Sequence, residues 1–223
     1  MRNPMEIWLD TTNVKTIQKA VRVGILSGIT TNPSLIAQAK KDMESILEDL
    51  LHYQEGPVTV QVISQETNDM LQQGQMLYSF SNRIIVKVPL TKNGLEALHL
   101  LARQGIPTMA TVIFHPRQAL MAALAGANYV APYISRIEKL GENPWPMLES
   151  LTKTFQQYQL QTKIMGASLN SVDQVIKCAE IGIYGVTLKD DLFEKMIEDY
   201  SPTVEGVHQF ADEWEHVPTS FFN

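Results

Sequence analysis

The chain has 223 residues, 44% of them hydrophobic and 19% charged, a balance that excludes intrinsic disorder and suits one large domain. Eighteen Lys and Arg against 24 Asp and Glu leave a net charge of −6, which argues against nonspecific binding to a phosphate backbone. A single cysteine, Cys178, excludes a disulfide framework and a cysteine-based zinc site.

From the N-terminus, Met1–Pro4 leads to charged Glu6 without the apolar stretch of a signal peptide. Short β-branched or apolar runs then alternate with longer segments of helical period. The pattern predicts a strand over Glu6–Asp10, a helix over Val14–Val23, a strand over Gly28–Asn32 and a helix over Met43–Tyr53. It continues with strand Val58–Ile63, helix Asn68–Ser79, strand Ile84–Val88 and helix Gly94–Gln104. Next come strand Thr108–Ile113, helix Pro116–Ala125, strand Tyr129–Ile134 and helix Trp145–Tyr158. Strand Lys163–Ser168, helix Val172–Ile181 and strand Gly185–Leu188 follow, with two last helices around Leu192–Ile197 and Val204–Glu215. Ser171 and Pro116 suit helix starts, and Gly24, Gly105, Gly126 and Gly182 suit helix stops. The most apolar stretch, Leu120–Ile134, is broken by Gly126, Asn128 and Pro132 and is too short to span a bilayer. The expectation is a soluble, cytoplasmic, single-domain protein over residues 1–223.

Eight strands alternating with helices predict a closed (β/α)8 TIM barrel with an extra C-terminal helix. The competing fold is an open doubly wound sheet. Its usual signal is missing: no Gly-x-Gly-x-x-Gly follows the first strand, and no Gly-x-x-x-x-Gly-Lys-Ser/Thr occurs anywhere.

In such barrels function collects at the C-terminal ends of the strands. Side chains alternate along each strand, so Val58, Val60 and Val62 face the helices while Thr59 and Gln61 point inward. In the fourth strand Ile84, Val86 and Val88 face outward and Lys87 points into the barrel. A buried ammonium is expensive unless paired, and a desolvated lysine is the nucleophile that forms a Schiff base with a carbonyl. The plainer alternatives are a lysine on an edge strand or one satisfied by a carboxylate. Around it the strand ends place Asp10, Asn32, Gln61, Thr111, Tyr133, Ser168 and Thr187. Each alone is an ordinary polar strand end. Together they ring one amine with hydroxyl, amide and carboxylate groups, which suits a polyhydroxylated carbonyl compound. The five histidines lack ligand spacing such as His-x-x-x-His, so no metal is expected, and His115 reads as a capping or surface residue.

Several segments sharpen this reading: Leu9-Asp10-Thr11, Gly28-Ile29-Thr30-Thr31-Asn32-Pro33-Ser34, Ile85-Val86-Lys87-Val88-Pro89 and Gly105-Ile106-Pro107-Thr108. Ala125-Gly126-Ala127, Tyr129-Val130-Ala131-Pro132-Tyr133 with Arg136, and Gly166-Ala167-Ser168 complete the set. From Met5 to the C-terminus the chain resembles the small class I aldolases of the transaldolase/fructose-6-phosphate aldolase group. The resemblance implies a (β/α)8 barrel with Lys87 as the Schiff-base lysine. Asp10 would orient substrate hydroxyls and help proton traffic, and Asn32 would hydrogen-bond the substrate. Gln61, Thr111 and Tyr133 match the positions that hold a catalytic water, and Arg136 and Ser168 match phosphate-binding positions. It also implies sugar and sugar-phosphate substrates and no added cofactor.

Within this group transaldolases resemble one another in carrying Glu at the Gln61 position and Phe at the Tyr133 position. Gln61 and Tyr133 therefore put a ketose-cleaving aldolase first, acting on fructose 6-phosphate or a similar ketose. The alternative is a transaldolase that moves a dihydroxyacetone unit between sugar phosphates of the pentose phosphate pathway. A noncatalytic sugar-binding barrel is the remote reading, disfavoured by Lys87, Asp10 and Tyr133. One departure stands out: Asn170 occupies a position where the group usually has Lys or Arg. Finally, Val204, Val207, Phe210, Ala211 and Trp214 recur at helical spacing in a C-terminal segment, 203–223, that is surplus to barrel closure. The resemblance implies that this segment meets a neighbouring subunit in a ring-type homo-oligomer, a pentamer or decamer.

Overall fold

Alternating β-branched residues set the strands, and Asn, Asp, Ser or Thr at the following helix starts set the turns between them. The computed structural model describes residues 5–217. The N-terminal start at 1–4 and the end of the C-terminal tail, 218–223, lie outside the described residues. In chain order the elements are β1 (Glu6–Asp10), α1 (Val14–Val23), β2 (Leu26–Thr30), α2 (Pro33–Gln38), α3 (Met43–His52) and β3 (Val58–Gln61). The middle of the chain forms α4 (Thr67–Phe80), β4 (Ile84–Pro89), α5 (Lys92–Arg103), β5 (Thr108–Ile113), α6 (Pro116–Leu124) and β6 (Tyr129–Pro132). Then come α7 (Ile134–Lys139), α8 (Pro144–Gln157), β7 (Lys163–Gly166), α9 (Val172–Ile181), β8 (Gly185–Leu188), α10 (Asp190–Met196) and α11 (Ser201–Trp214).

All eight strands run parallel in sequence order, and β8 closes on β1 through Glu6 opposite Gly185 to Leu9 opposite Leu188. This is the (β/α)8 barrel the sequence pattern predicts. Two helices escaped that pattern. Both α2 and α7 have six residues, too few to show a 3.6-residue period. The second strand lies at Leu26–Thr30 rather than Gly28–Asn32, because Asn32 and Pro33 are used to start α2: the Asn32 side chain accepts from the Leu35 N–H at 3.1 Å and Pro33 takes the first helical turn. Tyr133 and Ser168, expected inside strands, lie just past β6 and β7.

Two layers of apolar side chains hold the barrel. Outside it, Ile29, Val58, Val60, Ile84, Val86 and Val88 pack against buried helix residues such as Leu50, Leu98 and Leu101. Inside it, Trp8, Ile85, Met109, Tyr129, Ala131 and Met165 fill the N-terminal half. Below them Glu6 accepts from Trp8 Nε1 at 2.8 Å and from the Tyr184 hydroxyl at 2.6 Å. Lys163 Nζ lies 3.3 Å from the Tyr129 hydroxyl and 4.2 Å from the Tyr184 ring centre. Burial works against the Lys163 ammonium, but hydrogen bonds to Tyr184 and Tyr129 outweigh it and hold its pKa above the ordinary value. These side chains fill the barrel from below, and its interior opens to a cavity at the C-terminal ends of the strands.

Cys178 is buried, and burial pushes its thiol up to about 12, which leaves it a packing residue rather than a nucleophile. Among the described residues no helix is long and apolar enough to cross a membrane. Helix α11 buries none of its residues in this chain, and Val207 and Phe210 are 59% and 69% exposed.

Candidate active site

Lys87 is 5% exposed, between Val86 and Val88, which are fully buried on the helix side. It sits opposite Gln61 of β3 and Met109 of β5, so β4 is an interior strand and the edge-strand alternative falls away. Its Nζ donates to the Thr31 carbonyl at 2.9 Å. The ion pairs among the described residues, Lys19–Glu194 and Lys41–Asp49, are on the surface, so no carboxylate satisfies Lys87 either. A buried primary amine held by one carbonyl is left facing the cavity.

On one side of it stands Asp10, the last residue of β1. Its Oδ1 accepts from the Thr30 hydroxyl at 2.8 Å, and Asn32 Nδ2 lies 3.3 Å from Oδ2. Thr30 Oγ1 is also 2.7 Å from Thr187 Oγ1. A hydroxyl has one proton, and a carboxylate only accepts, so Thr30 donates to Asp10 and Thr187 donates to Thr30. Asn32 is oriented by two demands at once, its oxygen capping α2 and its nitrogen reaching the carboxylate. Side chains from β1, β2 and β8 thereby fix one carboxylate.

On the other side Tyr133 follows β6. Its hydroxyl lies 3.0 Å from Thr111 Oγ1, Phe114 meets its ring edge-on at 5.8 Å between centres, and the Arg136 guanidinium stands 4.7 Å over that ring. The partner strand is irregular here. Between Ala110 and Ile113 the β5–β6 register shifts, and Val112 adopts φ 60°. A β-branched residue in the left-handed region costs on the order of 1–3 kcal/mol and persists only where its surroundings impose it. Ser168, at φ 58°, also takes the left-handed region though it is not β-branched, and both residues line the cavity.

The cavity encloses about 850 Å³ and gathers Asp10, Asn32, Gln61, Lys87, Tyr133, Arg136 and Ser168. Thr111 is the exception among the expected site residues: it is fully buried behind Tyr133 and contributes through that hydroxyl. His115 caps α6, accepting from the Arg117 N–H at 3.2 Å, which matches its expected capping role. The structure adds residues that pattern reading did not place: Thr30, which holds Asp10, and Lys139 and Lys189, which line the mouth with Asp190 and Asp191. Lys139 is three residues from Arg136 on α7, a spacing that would have shown them as neighbours had the short helix been foreseen. Among the described residues no group of three or more His, Cys, Asp or Glu side chains is placed to hold a metal ion.

Chemically, the arrangement offers an amine at the base of a polar cavity, a fixed carboxylate on one flank and a phenol on the other, with cations at the mouth. Residues 7–221 match the family described as Transaldolase/Fructose-6-phosphate aldolase. Relatives named "Probable transaldolase" include one from Coprothermobacter proteolyticus, 36% identical over 214 residues that cover 96% of this chain and 98% of the relative. Another, from Aquifex aeolicus, is 35% identical over 218 residues, covering 98% of this chain and 100% of the relative. A third, from Nitrosopumilus maritimus, is 36% identical over 214 residues, 96% of both chains. Among solved structures, a cube-shaped porous protein cage designed by fusing symmetric oligomeric domains shares the fold, with a TM-score of 0.60 at 11% identity over 96% of this chain and 78% of the other.

Proposed function

Since the chain belongs to the transaldolase/fructose-6-phosphate aldolase family, we propose that it is a Schiff-base transaldolase moving a dihydroxyacetone unit between sugar phosphates. The observation that carries the covalent step is Lys87: an interior, 5% exposed amine with no ion-pair partner at the base of the cavity. Gln61 and Tyr133, taken alone, favour net cleavage. The relatives' shared name moves the weight to transfer.

In the proposed cycle the Lys87 amine attacks the ketose C2 carbonyl and water leaves, forming an iminium. The iminium takes up the electron pair as the C3–C4 bond breaks. Asp10 accepts the C4 hydroxyl proton, and an aldehyde departs. The enamine left on Lys87 then forms a new C–C bond to an incoming aldehyde, whose oxygen takes a proton back, and hydrolysis frees the new ketose. Net cleavage is the second reading, favoured by one observation: the Tyr133 hydroxyl, backed by Thr111 at 3.0 Å, lines the same cavity as Lys87, where a phenol could protonate the enamine carbon.

Supplying fructose 6-phosphate with and without erythrose 4-phosphate separates the two. Transfer predicts that glyceraldehyde 3-phosphate is released far faster when the acceptor is present and that free dihydroxyacetone stays a minor product. Equal release in both cases would return the protein to the cleaving branch.

We assign the phosphate end to Arg136 and Ser168, with Lys139 and Lys189 at the same mouth offsetting the uncharged Asn170. Arg136 offers a planar fork suited to a phosphate, and a charge-assisted hydrogen bond contributes about 1.5–3 kcal/mol. Arg136→Ala should therefore raise KM for glyceraldehyde 3-phosphate by about 10- to 100-fold. An unchanged KM would mean that the phosphate sits elsewhere. The uncovered apolar face of α11 supports a homo-oligomer, as expected from the C-terminal pattern.

A further inference from the structure

The two halves of the proposed phosphate end come from different elements. Arg136 rides on α7, whereas Ser168 and Asn170 belong to the loop between β7 and α9. Helix α7 has six residues, about 9 Å of rise, and buries Ile134, Ser135 and Ile137 against the barrel. At its start it is anchored by backbone: Ile134 N–H donates to the Ala167 carbonyl and Ser135 N–H to the Ser168 carbonyl, both at 2.9 Å. Those bonds secure the first turn and buried Ile137 seats the inner face, while Arg136 and Glu138 lie on the exposed side.

One side chain ties that exposed side to the neighbouring loop. Gln174 is the third residue of α9, and Ser171-x-x-Gln174 reads as a capping box, in which the glutamine would return to the N–H of Ser171. Instead its Oε1 accepts from the Asn170 N–H at 2.8 Å and from the Ser135 hydroxyl at 3.0 Å. Its Nε2 donates to Glu138 at 2.6 Å. Ser135 is buried, 4% exposed, so its hydroxyl is sheltered from water. A helix cap alone has no use for the bonds to Ser135 and Glu138. Those bonds tie the loop bearing Ser168 and Asn170 to both ends of the helix bearing Arg136.

We propose that Gln174 is a positioning residue that sets the spacing between Arg136 and the Ser168–Asn170 loop, and so sets the affinity for the phosphate of the aldehyde substrate. The inference rests on the phosphate assignment above. With Gln174 removed, α7 keeps its anchors at Ile134, Ser135 and Ile137 but loses its tie to the loop at Glu138, so the spacing between the guanidinium and that loop is no longer fixed. The Asp10 and Lys87 side chains are bound to other elements, and the Tyr133 hydroxyl at the start of α7 is held by Thr111 of β5, so all three keep their places.

The test compares glyceraldehyde 3-phosphate with unphosphorylated glyceraldehyde as acceptor. Gln174→Leu should raise KM for the phosphorylated aldehyde by about tenfold, with kcat and the KM for glyceraldehyde little changed. A charge-neutral swap supplies the control. Gln174→Glu alone sets two carboxylates against each other and should weaken phosphate affinity in the same way. Adding Glu138→Gln restores the bond with donor and acceptor reversed, and should return KM to within about threefold of wild type. Equal increases for both acceptors, or a swap that restores nothing, would reduce Gln174 to a structural residue and overturn the proposal. A wild type that does not prefer the phosphorylated aldehyde would overturn the phosphate assignment itself, and the role of Gln174 with it.

Discussion

Lys87→Met is expected to abolish covalent trapping and to lower turnover by at least about 10⁴-fold, since enzymes commonly accelerate by 10⁶ or more and the covalent route is assigned that work here. Borohydride reduction of the wild type in the presence of dihydroxyacetone should leave a stable secondary amine on the peptide that contains Lys87. Methionine is the informative replacement because it is flexible, apolar and of similar length, so a buried site accepts it with little strain. The change leaves the buried Thr31 carbonyl without the lysine, a loss of about 1–3 kcal/mol, below the total stability of an ordinary domain. Loss of activity would therefore be chemical rather than structural. Two other lysines test the assignment. Lys163 sits at the lower end of the barrel, paired with two phenols that hold its pKa up, which is the opposite of what a nucleophile needs. Lys189 is exposed at the mouth. An adduct on either one, or a Lys87→Met variant within tenfold of wild type, would refute the proposed chemistry.

The inward direction of Lys87 was legible because side chains in a strand alternate with period two and β4 is flanked by Gln61 and Met109 in regular register. The Val-Lys-Val alternation needs no knowledge of the neighbours. Boundaries were less legible where one residue serves two elements. Asn32 looks like the end of a β-branched run through Thr30 and Thr31, but its side chain is needed to cap α2. Arg136 and Lys139 share a helix of six residues, shorter than two helical turns, so no periodicity announced them as neighbours. Contacts that exist only because the barrel closes were out of reach. The Thr187–Thr30–Asp10 chain joins β8, β2 and β1, which are far apart in sequence, and nothing in residue spacing says which hydroxyl finds the carboxylate. Gln174 marks a subtler limit. Its spacing from Ser171 predicts a local bond, whereas the folded chain offers it a buried hydroxyl and a carboxylate on another helix, and those bonds are the ones it makes.

Tyr133→Phe should lower the rate of net fructose 6-phosphate cleavage by about 10²–10⁴-fold, the usual effect of losing a general acid or base, while transfer to erythrose 4-phosphate suffers less. The difference follows from what the enamine on Lys87 receives. In cleavage its carbon takes a proton before hydrolysis frees dihydroxyacetone. In transfer the same carbon takes a new C–C bond, and the proton step drops out. We assign that proton to the phenol, which lines the cavity with Lys87: its hydroxyl lies 3.0 Å from Thr111 Oγ1, and its ring is held between Phe114 and Arg136. Gln61, opposite Lys87 in the register, has an amide that can hydrogen-bond a water but neither takes nor gives a full proton in this range. Removing the hydroxyl alone keeps the ring contacts with Phe114 and Arg136, so the variant isolates the proton from the packing. Adding Gln61→Glu places a titratable group beside the water and should raise transfer further, leaving the ratio of cleavage to transfer below that of wild type in both variants. A ratio unchanged by Tyr133→Phe would place the phenol in a step common to both reactions, the making and breaking of the Schiff base, and would remove it as the residue that divides transfer from cleavage.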